Sequence, residues 1–163
     1  MNLILKNNNT LLLDDFKFKC VIGKNGRSFN KKEGDLKTPK GTFSLGPLFY
    51  RKDKFNNPQT KLSKIPIKKN MGWCDDVNNK LYNKPILIDK KIRHEKMYRS
   101  DDIYNLVIVI NYNTKNIIKN KGSAIFLHLT NNYKKTRGCI ALKENDMLVL
   151  LKMINKNTKI KIV

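Results

Sequence analysis

The run Asn105-Leu-Val-Ile-Val-Ile110 constrains the fold more than any other stretch of the chain. It is continuously apolar and dominated by β-branched residues, which suits a central strand covered on both faces. Other runs surround it. Alternation in Phe16-Lys-Phe-Lys-Cys-Val-Ile22 places Phe16, Phe18, Cys20 and Ile22 on one face of a strand, so Cys20 reads as a core residue. Leu3-Ile-Leu5 and Leu11-Leu-Leu13 flank Asn7-Asn-Asn-Thr10 as a hairpin, and Asn25-Gly26 suits a turn at positive φ. Ser28 to Lys40 reads as loop, whereas Thr42 to Leu45, Pro47 to Tyr50, Ser123 to Leu129, Gly138 to Leu142 and Lys159 to Val163 read as extended. Met147 to Ile154 is the one helix, with Glu144-Asn-Asp146 offering capping side chains. Many strands, one helix and no βαβ alternation predict a mainly β domain, sandwich or barrel, with a C-terminal helix. The 163 residues fit a single domain, 1–163, that needs no disulfide or metal staples.

Residues 51–104 break this pattern. A structureless connection longer than ~12–15 residues is uncommon inside a compact domain unless it is functional or disordered. Its aromatic and acidic clusters, such as Gly72-Trp-Cys-Asp-Asp76 and Glu95-Lys-Met-Tyr-Arg-Ser-Asp-Asp102, argue against disorder. The segment is expected to be a lid or substrate wall over the strands that follow it.

The stretch Gly122-Ser-Ala-Ile-Phe-Leu-His-Leu-Thr-Asn-Asn-Tyr-Lys-Lys-Thr-Arg-Gly-Cys-Ile-Ala-Leu142 carries the chemistry. It reads as an apolar strand ending at His128, a polar loop, and a second apolar strand opening at Cys139. A His and a Cys on neighbouring strands can form a thiolate–imidazolium pair, which lowers a thiol pKa from about 8.5 to roughly 3.5–7.5. Gly138 has no side chain to block a substrate carbonyl approaching the sulfur. Backbone N–H groups around Gly138 and Cys139 would face the developing oxyanion. Together these describe an acyl-transferring cysteine enzyme, with Cys139 as nucleophile and His128 as base. Thr136 is a candidate to orient the loop or donate to the oxyanion. Arg137, a cation beside the thiol, would favour the thiolate or hold a substrate carboxylate. His94, inside Arg93-His-Glu95, reads as solvent-facing.

These residues resemble the YkuD-type L,D-transpeptidases of bacterial cell-wall synthesis. Thr136-Arg-Gly-Cys-Ile-Ala-Leu142 is similar to that family's Ser/Thr-x-Gly-Cys-apolar signature, preceded by His128 at a strand end. Upstream, Glu33-Gly-Asp-Leu-Lys-Thr-Pro-Lys-Gly-Thr-Phe43 is similar to its G-D-x-x-T-P-x-G-x-F block. Two departures stand out: the His128-to-Cys139 spacing is short, and Ala141 occupies a position that is often Arg. The resemblance implies a β-sandwich and two acyl transfers. In the first, Cys139 attacks the carbonyl between the third residue of a peptidoglycan stem peptide and its terminal D-residue, and His128 protonates the departing amine. In the second, an acceptor amine from another stem takes the acyl group, forming a crosslink that starts from meso-diaminopimelate or lysine. The backbone carbonyl of Leu129 is implied to hold the imidazole. In the middle segment Trp73, Asp75, Asp76, Tyr82, Asn83, Tyr98, Arg99 and Asp102 become candidates for reading the zwitterionic stem, Asp for an ammonium and Arg for a carboxylate. Carbapenem-type β-lactams are implied as covalent inhibitors. Two other readings compete: an L,D-carboxypeptidase using the same pair, and a non-catalytic basic domain that binds wall polymer or nucleic acid.

The formal charge of +21 invites the nucleic-acid reading. Lysines are scattered along the chain beside asparagines, however, and there is no basic helix, zinc-knuckle spacing or aromatic stacking motif, which argues against it. A basic surface would instead raise encounter rates with anionic wall polymers. Cys74, Asp75, Asp76 and His94 lack regular ligand spacing, so no metal and no cofactor is expected. No apolar run is long enough to span a membrane. Met1-Asn-Leu-Ile-Leu-Lys-Asn7 lacks the pattern of a secretory signal; the resemblance nevertheless implies a periplasmic or wall-associated location.

Overall fold

A computed structural model describes residues 2–163, and the fold is mainly β with one helix among them. One layer contains β1 (Asn2–Leu5), β2 (Thr10–Leu13) and β3 (Phe16–Val21), with β4 (Arg27–Ser28) and β5 (Thr38–Pro39) forming a small parallel pair beside it. Then come β6 (Gly41–Tyr50), β7 (Lys64–Pro66), β8 (Met71–Cys74), β9 (Pro85–Leu87) and β10 (His94–Lys96). The last elements are β11 (Leu106–Ile110), β12 (Phe126–Leu129), β13 (Ile140–Leu142), α1 (Glu144–Met153) and β14 (Lys159–Ile162).

The main sheet runs β11-β12-β13-β3-β2-β1-β14-β6-β7, and β6 also pairs with β11. Two layers result, joined at the strands they share. The layer β3-β2-β1-β14-β6 faces the layer β3-β13-β12-β11-β6. Leu3, Leu5, Leu11, Leu13, Phe18 and Cys20 from the first meet Leu106, Ile108, Leu127, Leu129, Ile140 and Leu142 from the second. Met147, Leu150 and Leu151 of α1 close this core. Burial pushes the Cys20 thiol up to about 12, as an apolar surrounding disfavours the thiolate.

Strand β11 has the two covered faces that its composition demands. Leu106, Ile108 and Ile110 enter the inter-layer core. Val107 and Val109 point the other way, into a second apolar cluster with Phe49, Trp73, Tyr104 and Phe126. That cluster is roofed by β10-β8-β9, a three-stranded sheet built from the middle segment. Trp73 meets Phe126 edge-on at 5.0 Å and Phe49 at 6.1 Å.

Several local expectations are corrected. Thr42–Leu45 and Pro47–Tyr50 form one strand, β6. Pro47 has no N–H to give a ladder, and it is tolerated because the register with β11 shifts between Ile108 and Ile110. The helix begins at Glu144, with Lys143 at the N-cap and no side-chain cap. Glu144 and Asp146 therefore act from inside the first turn, where a carboxylate favours the macrodipole. The loop at 28–40 contains β5 and ends of β4, and the middle segment contains β7 to β10 rather than irregular chain.

Candidate active site

Strands β12 and β13 run parallel, with His128 opposite Ala141 and Leu127 opposite Ile140. Because side chains alternate across a strand, this register decides what shares a face. Leu127, Leu129, Ile140 and Leu142 go inward. Phe126, His128, Cys139 and Ala141 go outward, under the roof formed by the middle segment. His128 and Cys139 line one cavity of about 700 Å³, walled also by the β12–β13 loop, the 31–36 loop and β10.

Nδ1 of His128 donates to Leu129 O at 2.8 Å, which leaves Nε2 as the lone-pair nitrogen of the neutral ring. Tyr104 packs edge-on against the imidazole at 5.1 Å. The Cys139 thiol donates to Ala124 O at 3.2 Å and accepts from Phe126 N at 3.4 Å. Both groups are nearly enclosed, Cys139 at 8% exposure and His128 at 6%. Burial pushes the thiol up to about 12, and the charge of Glu95 pushes the same way. Burial also draws the imidazole down to about 4, against a smaller opposing pull from the Leu129 carbonyl. Enclosure thus works against both members of the expected thiolate–imidazolium pair at rest, because a dry wall penalises both charges.

The turn ahead of Cys139 is stapled by one hydroxyl. Thr136 Oγ1 donates to Cys139 O at 2.6 Å and accepts from Gly138 N at 3.1 Å. The Gly138 N–H is therefore already engaged and does not point freely at an oxyanion. Gly138 has φ +142°, and a Cβ there would lie 2.9 Å from Lys37 O. The space a side chain would fill thus belongs to the 31–37 backbone rather than to an incoming carbonyl.

That backbone is organised by Asp35, which accepts from Lys31 Nζ at 2.6 Å, Lys32 N at 2.8 Å and Lys37 N at 2.9 Å. These bonds hold the Asp35 carboxyl below its ordinary range against the opposing effect of burial. Glu33 accepts from Ser123 Oγ at 2.8 Å and from the Tyr82 hydroxyl. Across the cavity, Tyr104 donates to Glu95 Oε1 at 2.6 Å. Burial raises the Glu95 carboxyl, with the Tyr104 bond and Arg99 pulling the other way.

Of the middle-segment candidates, Asp75 and Arg99 line the cavity, as does Arg137 from the β12–β13 loop. Asp75 is paired with Arg93 at 3.1 Å and Arg99 with Asp101 at 2.5 Å. The other candidates do not line the cavity. Trp73 is buried and donates to Asn83 Oδ1 at 2.9 Å. Asn83 is itself buried, bonded on both sides of its amide. Tyr82 donates to Glu33 and accepts from Gly122 N. Asp76 caps a turn at Asn78 N, and Tyr98 stacks on Arg51 at 3.5 Å. Asp102, at φ +63°, holds the Asn105 amide where the chain enters β11.

His94 also departs from expectation: it lines the cavity, with Nδ1 at 2.6 Å from Ile92 O. Glu95, Tyr104, Lys31 and Ala124 were not singled out from the sequence. Only Lys31 had a signal, its proximity to the Glu33-to-Phe43 block. The others gain meaning through burial alone.

Among solved structures, the chain is similar to the helical cell shape determining protein Pgp2 from Campylobacter jejuni, at 18% identity and a TM-score of 0.49, over 99% of this chain and 46% of that one. It is also similar to an L,D-transpeptidase from Mycobacterium smegmatis, at 12% identity and a TM-score of 0.46, over 99% and 58%. The chain thus spans about half the length of these solved proteins. No curated protein sequence matches it. The family model YkuD, described as the L,D-transpeptidase catalytic domain, matches residues 2–162, which takes in every strand and the helix as well as both walls of the cavity. On that match, the chain belongs to the YkuD family of L,D-transpeptidase catalytic domains.

Proposed function

We propose that this chain is a peptidoglycan L,D-transpeptidase that crosslinks stem peptides through a thioester on Cys139. One observation carries the reading: His128 and Cys139 leave adjacent parallel strands on the same face and enter one cavity. Membership of the family supplies the reaction class.

A neutral resting pair suits a concerted start. As Sγ attacks the stem carbonyl, its S–H bond breaks and the proton, hydrogen-bonded to Ala124 O at rest, passes to Nε2 of His128, which is unprotonated because Nδ1 is committed to Leu129 O. The imidazolium then returns that proton to the departing D-amino acid. A thioester remains, an acceptor amine adds to it while His128 takes the amine's proton, and the free thiol is regenerated. The Cys139 N–H is the candidate oxyanion donor, since Gly138 N is held by Thr136. Asp75 and Glu95 offer carboxylates for a substrate ammonium, and Arg99 and Arg137 guanidinium groups for a carboxylate. The segment 51–104 serves as the substrate wall of a single catalytic domain. Work on the wall places the protein in the periplasm or at the wall; no helix among the described residues is long and apolar enough to cross a membrane.

Incubation of purified protein with tetrapeptide-bearing muropeptides, followed by mass analysis, tests the reading. New dimers with loss of the terminal D-residue are expected. Shortened monomers alone would replace transfer by hydrolysis, and unchanged muropeptides would remove the enzymatic reading.

A further inference from the structure

Ala124 is a non-glycine residue at φ +52°, a strained left-handed conformation that persists only where its surroundings enforce it. Its carbonyl is the one that receives the Cys139 thiol proton. The enforcement comes from Asn83, whose Oδ1 accepts Ala124 N–H at 3.0 Å and Trp73 Nε1–H at 2.9 Å. The same side chain donates through Nδ2 to Tyr112 O at 3.2 Å and Asn113 O at 2.7 Å. Two donors meet Oδ1 and two acceptors meet Nδ2, so the amide has only one workable orientation. Asn83 is 3% exposed, and its own φ of +58° lies where asparagine is enriched. Its backbone is fixed too, with Asn83 N donating to Cys74 O at 2.8 Å.

We infer that Asn83 is a positioning residue for Cys139: its amide fixes the Ala124 peptide, and the Ala124 carbonyl in turn holds the thiol as a neutral, pre-aimed donor. The middle segment thereby reaches the sulfur through a chain of bonds, Trp73 to Asn83 to Ala124 to Cys139, without touching it. An S–H···O bond favours the neutral thiol, so releasing the carbonyl favours the thiolate. The ionisable groups facing the sulfur are His128 from β12, Tyr104 ahead of β11, Glu95 from β10, Lys31 from the 31–37 loop and Arg137 from the loop before Cys139. None of these is altered by changing Asn83.

The functional meaning rests on Cys139 being the nucleophile, but the test does not need transfer activity. Iodoacetamide labelling at about pH 8, mapped by mass spectrometry, follows Cys139, with the fully buried Cys20 as internal reporter of unfolding. Asn83→Gly keeps positive φ free of strain and deletes the amide; its Cys139 labelling is expected to rise about tenfold, the effect of one pKa unit. Asn83→Asp keeps the acceptor for both N–H groups while losing the two Nδ2 bonds, and is expected to label more slowly than Asn83→Gly. A wild-type rate in Asn83→Gly, an Asn83→Asp as fast as the glycine variant, or acceleration seen only with Cys20 labelling would overturn the inference. A wild type that labels as described yet transfers nothing sinks the transferase reading alone.

Discussion

His128 is fastened to the residue that follows it: Nδ1 donates to the Leu129 carbonyl at 2.8 Å. That bond fixes which nitrogen faces the cavity, and the burial that accompanies it sets how the ring titrates.

The imidazole titrates at about 4 when folded against an ordinary value of 6.5, so between those values the unfolded chain binds more protons. Stability from this source is whole above pH 6.5 and is lost as the pH falls toward 4. In His128→Gln the titrating group is gone. The drop in urea-unfolding free energy on acidification across that window should shrink by on the order of 2 kcal/mol relative to wild type. An equal drop in both proteins would show that the ring is not buried as a neutral base.

A thiol pushed up to about 12 stays protonated through the neutral range. The iodoacetamide rate at Cys139 should therefore climb steadily from about pH 6 to pH 10 with no plateau, since the reacting species is the thiolate. A plateau at or below neutrality would instead report a preformed ion pair with His128.

A carbapenem should acylate the sulfur, giving a stable mass increase on the wild type, with no adduct on Cys139→Ala. Intact-protein mass spectrometry reads both. Equal adduct on the alanine variant would move the nucleophile elsewhere.

Asp35 neutralises Lys31, whose side chain is 4% exposed, and ties two further amides. Asp35→Ala leaves that ammonium buried without its partner, and breaking such a pair costs about 3–5 kcal/mol. Adding Lys31→Met to Asp35→Ala should recover much of the loss, because no charge then remains unpaired. Urea midpoints of the two single variants and the double variant check this, and strictly additive losses would mean that the pair is not coupled.

Much of the architecture was legible because strands covered on both faces leave an unmistakable run, as Leu106 to Ile110 does, and half-covered ones leave an alternation, as Phe16 to Ile22 does. The three-stranded roof was not. Its strands have three or four residues each and no alternation, so only cross-strand pairing reveals them. At the cavity, an apolar run ending at His128 and a second opening at Cys139 were enough to suggest that the two could share a site. The burial that opposes charge on both was not legible, because enclosure by Tyr104, Trp73 and the roof is invisible in a linear pattern. Three of the middle-segment candidates lie outside the cavity lining for a related reason. Trp73, Tyr82 and Asn83 have side chains suited to ligand recognition, but their polar atoms are spent holding the roof to β12 and the 31–34 loop.

Strand β6 pairs along its first half with β14 and along its second with β11, while β1 lies between β2 and β14. Partners so distant in sequence impose a high contact order, which slows folding. During synthesis, β1 and β6 emerge early and wait with open edges until residues 159–162 leave the ribosome. A stall anywhere between β11 and β14 would therefore expose long unpaired apolar edges, making the nascent chain a client for holdase chaperones before it has a working cavity.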